Sequence, residues 1–499
     1  MSRIRKKRHG RLIAVLISLL TVAVLLSPIL AVLGISLVAP AVYEDTFVGE
    51  LGEKYERLHS IEEEKIVVIG GSSVAFGLDS ALMEEHLGKR VVNFGLYADL
   101  GTKLMLDLSR SGIKEGDTVV IAPEINDQTL SLFFNAATTL QALDGNLGML
   151  RDIDSDNVSS LVGRLWSFSA DKLSYLISGE RPENSGAYRK ENFNEYGDND
   201  FDRPYNVMLS VDRTIGFDYT YDKTDGTDTE YEQFIDYLNE YIDYCTERGA
   251  AVYFSFPPMN EAALKEEGTE ARVRFYEDLT RALHCRIISD INDYVLDEGY
   301  FFDSEFHLND SGVPVRTSAL IDDLKRELGI TSPTLSADEL PAPSGYAPLE
   351  FGGENGDGSH FLLRQISVGG RDAYEIVGLT EEGMKQTRLA IPAMVDGVPV
   401  ARIGAEAFAG SSVRSLGVGT NIMDIASHAF AGADMLTSVY LPVGKLPGDI
   451  QIPNNDEEHM LATDGAPDGL VIYVDEAALS DFKTNYFWGV YSARLRARS

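Results

Sequence analysis

From Lys65 onward, short apolar runs punctuate the chain. Lys65–Gly71 (KIVVIGG), Arg90–Gly95 (RVVNFG), Asp117–Glu124 (DTVVIAPE), Ala250–Pro258 (AAVYFSFPP) and Cys285–Asp290 (CRIISD) are rich in β-branched or aromatic residues. Such runs predict strands buried on both faces. Between them the apolar spacing becomes helical. In the segment Tyr231–Gly249, Phe234, Tyr237, Leu238, Tyr241, Ile242 and Cys245 fall on one stripe, and Gly249 is a C-terminal stop. Strands alternating with helices predict an α/β domain over 65–330, with a parallel sheet covered on both sides. A functional site then belongs beyond the carboxyl ends of the strands.

Three stretches break this pattern. Residues 43–64 are polar and helical in spacing, and read as a stalk. Residues 135–230 are acidic and rich in Asn, Asp and Tyr. They read as an insertion near the mouth of the site, serving either as a contact surface or as a bystander. Asp152, Asp154 and Asp156 resemble the start of a calcium loop, but the glycine at its sixth position and the glutamate at its twelfth are missing. Residues 331–358, rich in Pro, Gly, Ser and acids, read as a linker.

Over 359–499 the pattern changes again. The phrase Ile403-Gly-Ala-Glu-Ala-Phe408-Ala-Gly returns as Ile425-Ala-Ser-His-Ala-Phe430-Ala-Gly, 22 positions on. Repeats of this period bury their apolar faces only against one another, so such an array needs about three units or caps. Residues 361–400 and 468–490 are the candidate caps. The phrase resembles the bacterial surface leucine-rich repeats of the BspA type. That resemblance implies a small, stacked, non-catalytic module with a protein or glycan ligand, or one that only spaces the domain before it.

Charge and the amino end bear on the compartment. Lys plus Arg number 43 against 78 Asp plus Glu, a net charge of −35. A surface this acidic repels phosphates and argues against a nucleic-acid partner. Residues 1–11 nevertheless hold six cations and no acid, and no residue from Leu12 to Val42 is charged. That apolar length suits a single transmembrane anchor over 12–42 with a cytoplasmic basic tail, which leaves the bulk of the chain outside the cell membrane. The alternative is a cleaved leader, with small residues at Ala39–Ala41 as its cleavage site. Two cysteines, Cys245 and Cys285, exclude a disulfide scaffold and read as free thiols. No His/Cys/Asp cluster has metal-ligand spacing, and no dinucleotide or P-loop motif is present, so neither metal nor cofactor is expected.

The chemistry lies in four segments at or after strand ends: Gly70-Gly71-Ser72-Ser73, Asn93-Phe94-Gly95, Glu124-Ile125-Asn126-Asp127 and Asp303-Ser304-Glu305-Phe306-His307. Of eight histidines, only His307 both follows a strand and has acids in reach. In this order the four segments resemble the SGNH (GDSL-type) hydrolase superfamily over about 65–328. They look closest to its membrane-anchored branch of cell-envelope esterases and O-acyltransferases. The resemblance implies a flavodoxin-like three-layer fold. It also implies Ser73 as nucleophile, His307 as base with Asp303 orienting it, and an oxyanion hole from Ser73 N–H, Gly95 N–H and the Asn126 side chain.

The chain departs from the family pattern at Ser72, where the family has Asp, and at Glu124, where it has Gly. The usual acid position, three before the histidine, is Ser304; Asp303 and Glu305 flank it, and either can reach. The expected activity is acyl transfer from an ester to water or to a cell-envelope carbohydrate. The alternative is a non-catalytic surface protein that binds through its repeats and carries a degenerate hydrolase-like scaffold.

Overall fold

A computed structural model describes residues 21–498 except 23, 25, 33, 127, 180, 183–185, 209–228, 265–267, 334, 337, 453–461 and 486–487. Among the described residues no helix is long and apolar enough to cross a membrane. The first part of the expected span, and the whole basic tail, lie outside the described residues.

The apolar runs form a five-stranded parallel sheet. Its strands are β1 (Lys65–Gly70), β2 (Arg90–Gly95), β3 (Thr118–Ile121), β4 (Ala251–Phe254) and β6 (Arg286–Ile287). They lie in the order β2-β1-β3-β4-β6, and a short pair, β5 (Met259–Asn260) with β7 (Val295–Leu296), stands apart. This is an α/β architecture consistent with a flavodoxin-like layer, with its topological switch at β1. The strands are shorter than the runs that predicted them. The run at 285–290 keeps only Arg286 and Ile287 in the sheet.

Side chains alternate across the sheet. Val67, Ile69, Val92, Phe94, Val119 and Ile121 share one core with Leu58, Leu104 and Leu238. Those three lie on α1 (Leu51–Ser60), α4 (Thr102–Ser109) and α7 (Thr229–Glu247). Ile66, Val68, Val91 and Val120 face the opposite core, with Met83, Leu87, Leu320 and Leu324. These come from α3 (Ser80–Leu87) and α9 (Gly312–Leu328), while α8 (Gly268–Ala282) adds Ala271, Phe275 and Leu279 to the first core. The result is three layers. At the amino edge, Lys65 Nζ meets Asp117 at 2.8 Å with both side chains buried, which ties the start of β1 to that of β3.

The residues expected as a stalk are folded into this domain. Tyr43, Phe47, Leu51 and Leu58 are buried in its core. Lys54 is buried as well and donates to the Asn93 carbonyl at 3.2 Å. Its apolar neighbours amount to one helical stripe, and a stripe reads as a solvated helix until a partner surface is known.

The insertion carries α5 (Ala136–Ala142), α6 (Ser155–Ser178) and a loop that returns across the carboxyl edge of the sheet. In that loop Asp198, Asn199 and Arg203 are buried. Asp198 accepts from Asn93 Nδ2 at 2.8 Å and from the Ser80 hydroxyl at 2.7 Å. Asp154, the middle of the aspartate triplet, caps α6 through the Asp156 N–H.

Beyond the linker, β8 (Phe361–Val368) and β9 (Arg371–Leu379) form an antiparallel hairpin. Against it stack rungs built from β10 (Arg388–Ala390), β11 (Met394–Val395), β12 (Val398–Ile403), β13 (Ser415–Gly417) and β14 (Asp424–Ile425). The stack continues through β15 (Ser438–Tyr440), β16 (Val471–Val474) and β17 (Leu495–Ala497). One face is a parallel sheet in the order β10-β13-β15-β16-β17.

The 22-residue phrase is the rung. Phe408 and Phe430 stack with ring centroids 6.3 Å apart. Glu406 N–H donates to the His428 carbonyl, and both residues adopt positive φ, 54° and 56°. A third turn follows, in which Gly432 N–H donates to Gly465. The far end is closed by α10 (Leu479–Thr484) and the buried Trp488, whose indole N–H donates to Ile450 O at 3.0 Å.

Candidate active site

β1 ends at Gly70, and Gly71 leads directly into a single helical turn, α2 (Ser72–Ala75). Successive residues on a helix point about 100° apart, so adjacent Ser72 and Ser73 cannot face the same way. Ser72 is the one that faces the histidine. Its Oγ lies 2.8 Å from His307 Nε2. Ser73 is fully buried, and its hydroxyl has no hydrogen-bond partner. The pairing expected from the sequence is therefore corrected by one residue: the helical phase turns Ser73 inward and Ser72 outward.

His307 Nδ1 is 2.7 Å from Asp303 Oδ1. Facing a carboxylate, Nδ1 carries the proton and Nε2 is left to accept from the Ser72 hydroxyl. Of the two flanking acids it is Asp303 that meets the ring. Ser304 instead accepts the backbone N–H of His307 with its hydroxyl, at 3.1 Å, which closes a tight turn and turns the imidazole toward Asp303. The face of the ring is covered by Phe76, stacked at 4.3 Å and 11°. Arg203 lies 4.9 Å from the centroid of that phenyl ring.

Tyr188, from the insertion, donates to Asp303 Oδ2 at 2.8 Å and lies 3.3 Å from His307 Nδ1. Burial, with Asp303 beside it, pushes this phenol well above its ordinary range, so it remains a donor. Nothing in the sequence singled out Tyr188, which stands far from Asp303 along the chain in a segment with no periodic pattern. Burial lowers Arg203 from its ordinary value, an effect opposed by Asp310, Asp303 and Tyr188.

Of the expected oxyanion donors, Gly95 N–H and Ser73 N–H are engaged elsewhere, while Asn126 is held through its carbonyl oxygen. Gly95 N–H donates to Asn93 Oδ1 at 3.1 Å. Its lack of a side chain serves packing, because a Cβ there would overlap Val74 and the Gly71 carbonyl. Asn126 Oδ1 accepts from Thr129 N–H at 2.8 Å and from the Thr129 hydroxyl at 3.0 Å, which makes it the cap of a turn. Ser73 N–H donates to Glu124 Oε1 at 2.6 Å.

Glu124, the departure at the third segment, is buried, and its Oε1 also lies 3.3 Å from Ser72 Oγ. Its Oε2 has no partner. The carboxylate thus sits beside the serine and occupies the N–H of the residue that follows it. Behind it is Arg316 on α9, fully buried, with Nε and Nη2 unpartnered and Nη1 on the Gly77 carbonyl at 3.1 Å. Burial lowers its guanidinium to about 10, against the opposing pull of Tyr294 and Glu124.

A cleft of about 640 Å³ opens next to this constellation. Neither Ser72 nor His307 lines it. Tyr188 is shared between the two: it lines the cleft, and its hydroxyl donates to Asp303. Tyr43, Phe47, Tyr97 and Tyr175 add aromatic surface, and Asp99 and Asp171 add carboxylates. The insertion supplies much of this lining, which favours its reading as a contact surface. Among the described residues no group of His, Cys, Asp or Glu could hold a metal ion. Cys245 and Cys285 are free thiols. No protein-family model matches the chain, and no curated protein matches it.

Proposed function

We propose that the protein is a serine esterase or O-acyltransferase of SGNH type, with Ser72, His307 and Asp303 as its catalytic triad. One observation carries this reading: a hydroxyl, an imidazole and a carboxylate joined by contacts of 2.8 and 2.7 Å at the carboxyl edge of a parallel sheet. A serine hydroxyl is a weak nucleophile until a base takes its proton. Here Ser72 Oγ attacks an ester carbonyl while its proton passes to His307 Nε2. Asp303 holds the imidazole in the required tautomer and stabilises the cation that forms. His307 then protonates the departing alkoxide, leaving an acyl group on Ser72. Water or a sugar hydroxyl, deprotonated by His307, takes the acyl group in the second half. Tyr188 holds the second oxygen of Asp303 and fixes its orientation.

The neighbouring cleft supports a carbohydrate as one partner in the transfer. Aromatic rings offer flat apolar surface to sugar faces, and carboxylates accept from hydroxyl groups. The uncharged stretch 12–42 supports a membrane anchor, with the site outside the cell membrane facing the envelope. The 22-residue rungs support a leucine-rich repeat module of BspA type that binds or displays.

Treatment of the full chain with a fluorophosphonate, followed by peptide mass spectrometry, tests the triad. The expected adduct is on Ser72. It disappears in Ser72→Ala and persists in Ser73→Ala. An adduct on Ser73, or none on the folded wild-type protein, would end this reading.

A second reading is favoured by the donors around the serine. Ser73 N–H and Gly95 N–H are both occupied, the former by a carboxylate. A site that holds a negative charge where an oxyanion must build is poorly prepared for acyl transfer. On this reading the domain is a non-catalytic scaffold and the repeats carry the function. An unreactive Ser72, together with envelope binding that Trp488→Ala abolishes, is its expected signature.

A further inference from the structure

We infer that α6 is an interfacial helix that lies in the outer surface of a lipid bilayer beside the amino-terminal segment. The inference rests on the membrane-anchor reading and adds a second, independent contact with lipid. Val162, Trp166, Leu173 and Ile177 of this helix are 62, 65, 40 and 77 % exposed. Their spacings of four, seven and four residues put them within about 60° of one another on the helix surface. Arg164 and Asp171 project from the opposite side. A tryptophan and three aliphatic side chains on one solvated stripe are costly in water, and they are the composition that settles at a lipid interface.

A second observation identifies lipid as the occupant. Residues 21–38 are helical where described, and this segment meets α6 through Val32 and Ser36. Ser169 donates to the Val32 carbonyl at 3.0 Å, Ser36 donates to the Leu165 carbonyl at 3.3 Å, and the two serine hydroxyls meet each other. The segment exposes Val22, Val24, Leu26, Ile29, Leu30, Leu37 and Val38. On α6, Leu165 and Ser169 lie next to the stripe of Val162 and Trp166. Exposed apolar residues of the uncharged stretch and of α6 therefore lie on either side of this contact. A surface that continues the flank of a bilayer-spanning stretch meets the same solvent as that stretch.

The orientation has a consequence for the site. Asp171, Ser174 and Tyr175 of the same helix line the cleft. The cleft thus opens about one helix diameter, ~10 Å, from the lipid surface, where lipid-linked acyl donors or glycans are presented.

Fluorescence tests this directly, because the chain has only two tryptophans and Trp488 is buried. The full chain carrying Trp488→Phe is reconstituted into vesicles of phosphatidylcholine and phosphatidylglycerol, with and without bromine on the acyl chains. Should Trp488→Phe fail to fold, the difference between wild type and Trp166→Phe isolates the same signal. We expect bromine near the head of the acyl chain to quench Trp166 about twofold and aqueous iodide to quench it poorly. Val162→Asp with Ile177→Asp restores iodide access.

Protein that floats with the vesicles while Trp166 stays open to iodide and blind to bromine overturns the inference and leaves the anchor standing. Trp166 shielded from both, with mass that grows on dilution series toward higher concentration, assigns the stripe to a second copy and also overturns it. Protein that does not float at all removes the anchor and this inference together.

Discussion

The site and the repeat module are built in opposite ways. In the repeats, the residues that touch are neighbours in a period. Phe408 stacks on Phe430, and Ile403 pairs with Ile425, each a single rung away. At the site, Ser72 and His307 meet although 235 positions separate them. The polar groups differ as well. Around the serine, Ser73 Oγ, Glu124 Oε2 and two nitrogens of Arg316 are buried without partners. Buried polar atoms cost stability when unpaired, so a cluster of them marks a place where packing was not the governing requirement. Periodic stacking supplies stability, and the non-periodic meeting of strand ends gathers polar groups that no period brings together.

The sharpest way to break this contrast is to remove the imidazole. His307→Ala is expected to lower ester turnover about 10⁴-fold, near 5.5 kcal/mol of barrier, while leaving the melting transition in place. Turnover within tenfold of wild type would mean that the contact with Ser72 is structural. The converse change acts on the repeats. Phe408→Ala leaves a cavity between rungs and is expected to cost about 3–5 kcal/mol in urea unfolding of that module, with labelling of Ser72 unchanged. A joint loss of both would show that the two regions are not energetically separate.

Smaller changes sharpen the picture. Tyr188→Phe deletes one donor to a half-buried carboxylate and is expected to slow acylation about 10-fold at unaltered fold, read as kcat/KM on an acetyl ester. If the rate is unaltered, Tyr188 only walls the cleft. Glu124→Gln removes the negative charge beside the reacting oxygen and is expected to speed acylation by a few fold to about tenfold. A slower Glu124→Gln enzyme would indicate that the carboxylate assists Ser72 rather than competing with an oxyanion.

What was legible in the chain followed from periodicity. Buried parallel strands show as apolar runs, and the repeat shows as a returned phrase. His307 was legible by elimination; its acid was legible only as a pair, Asp303 or Glu305, and the folded structure chose Asp303. Other features were not legible, each for a stated reason. Residues 43–64 read as a stalk because the face they bury has no partner in their own segment. Gly95 read as an oxyanion donor, yet its N–H is taken by Asn93 two residues away, a bond that depends on a side-chain rotamer.

The sequence by itself determined the alternation of buried parallel strands with helices over 65–330, the stacked rungs, and the segments at strand ends in which Ser72, Asp303 and His307 lie. Those follow from local spacing, which each segment carries with it. The tertiary structure alone decided that Ser72, not Ser73, meets the histidine, that Tyr188 reaches Asp303, and that Glu124 sits on the Ser73 N–H. These depend on the rotation of one helical turn against distant segments, and no pattern along the chain encodes an angle between parts that meet only after folding.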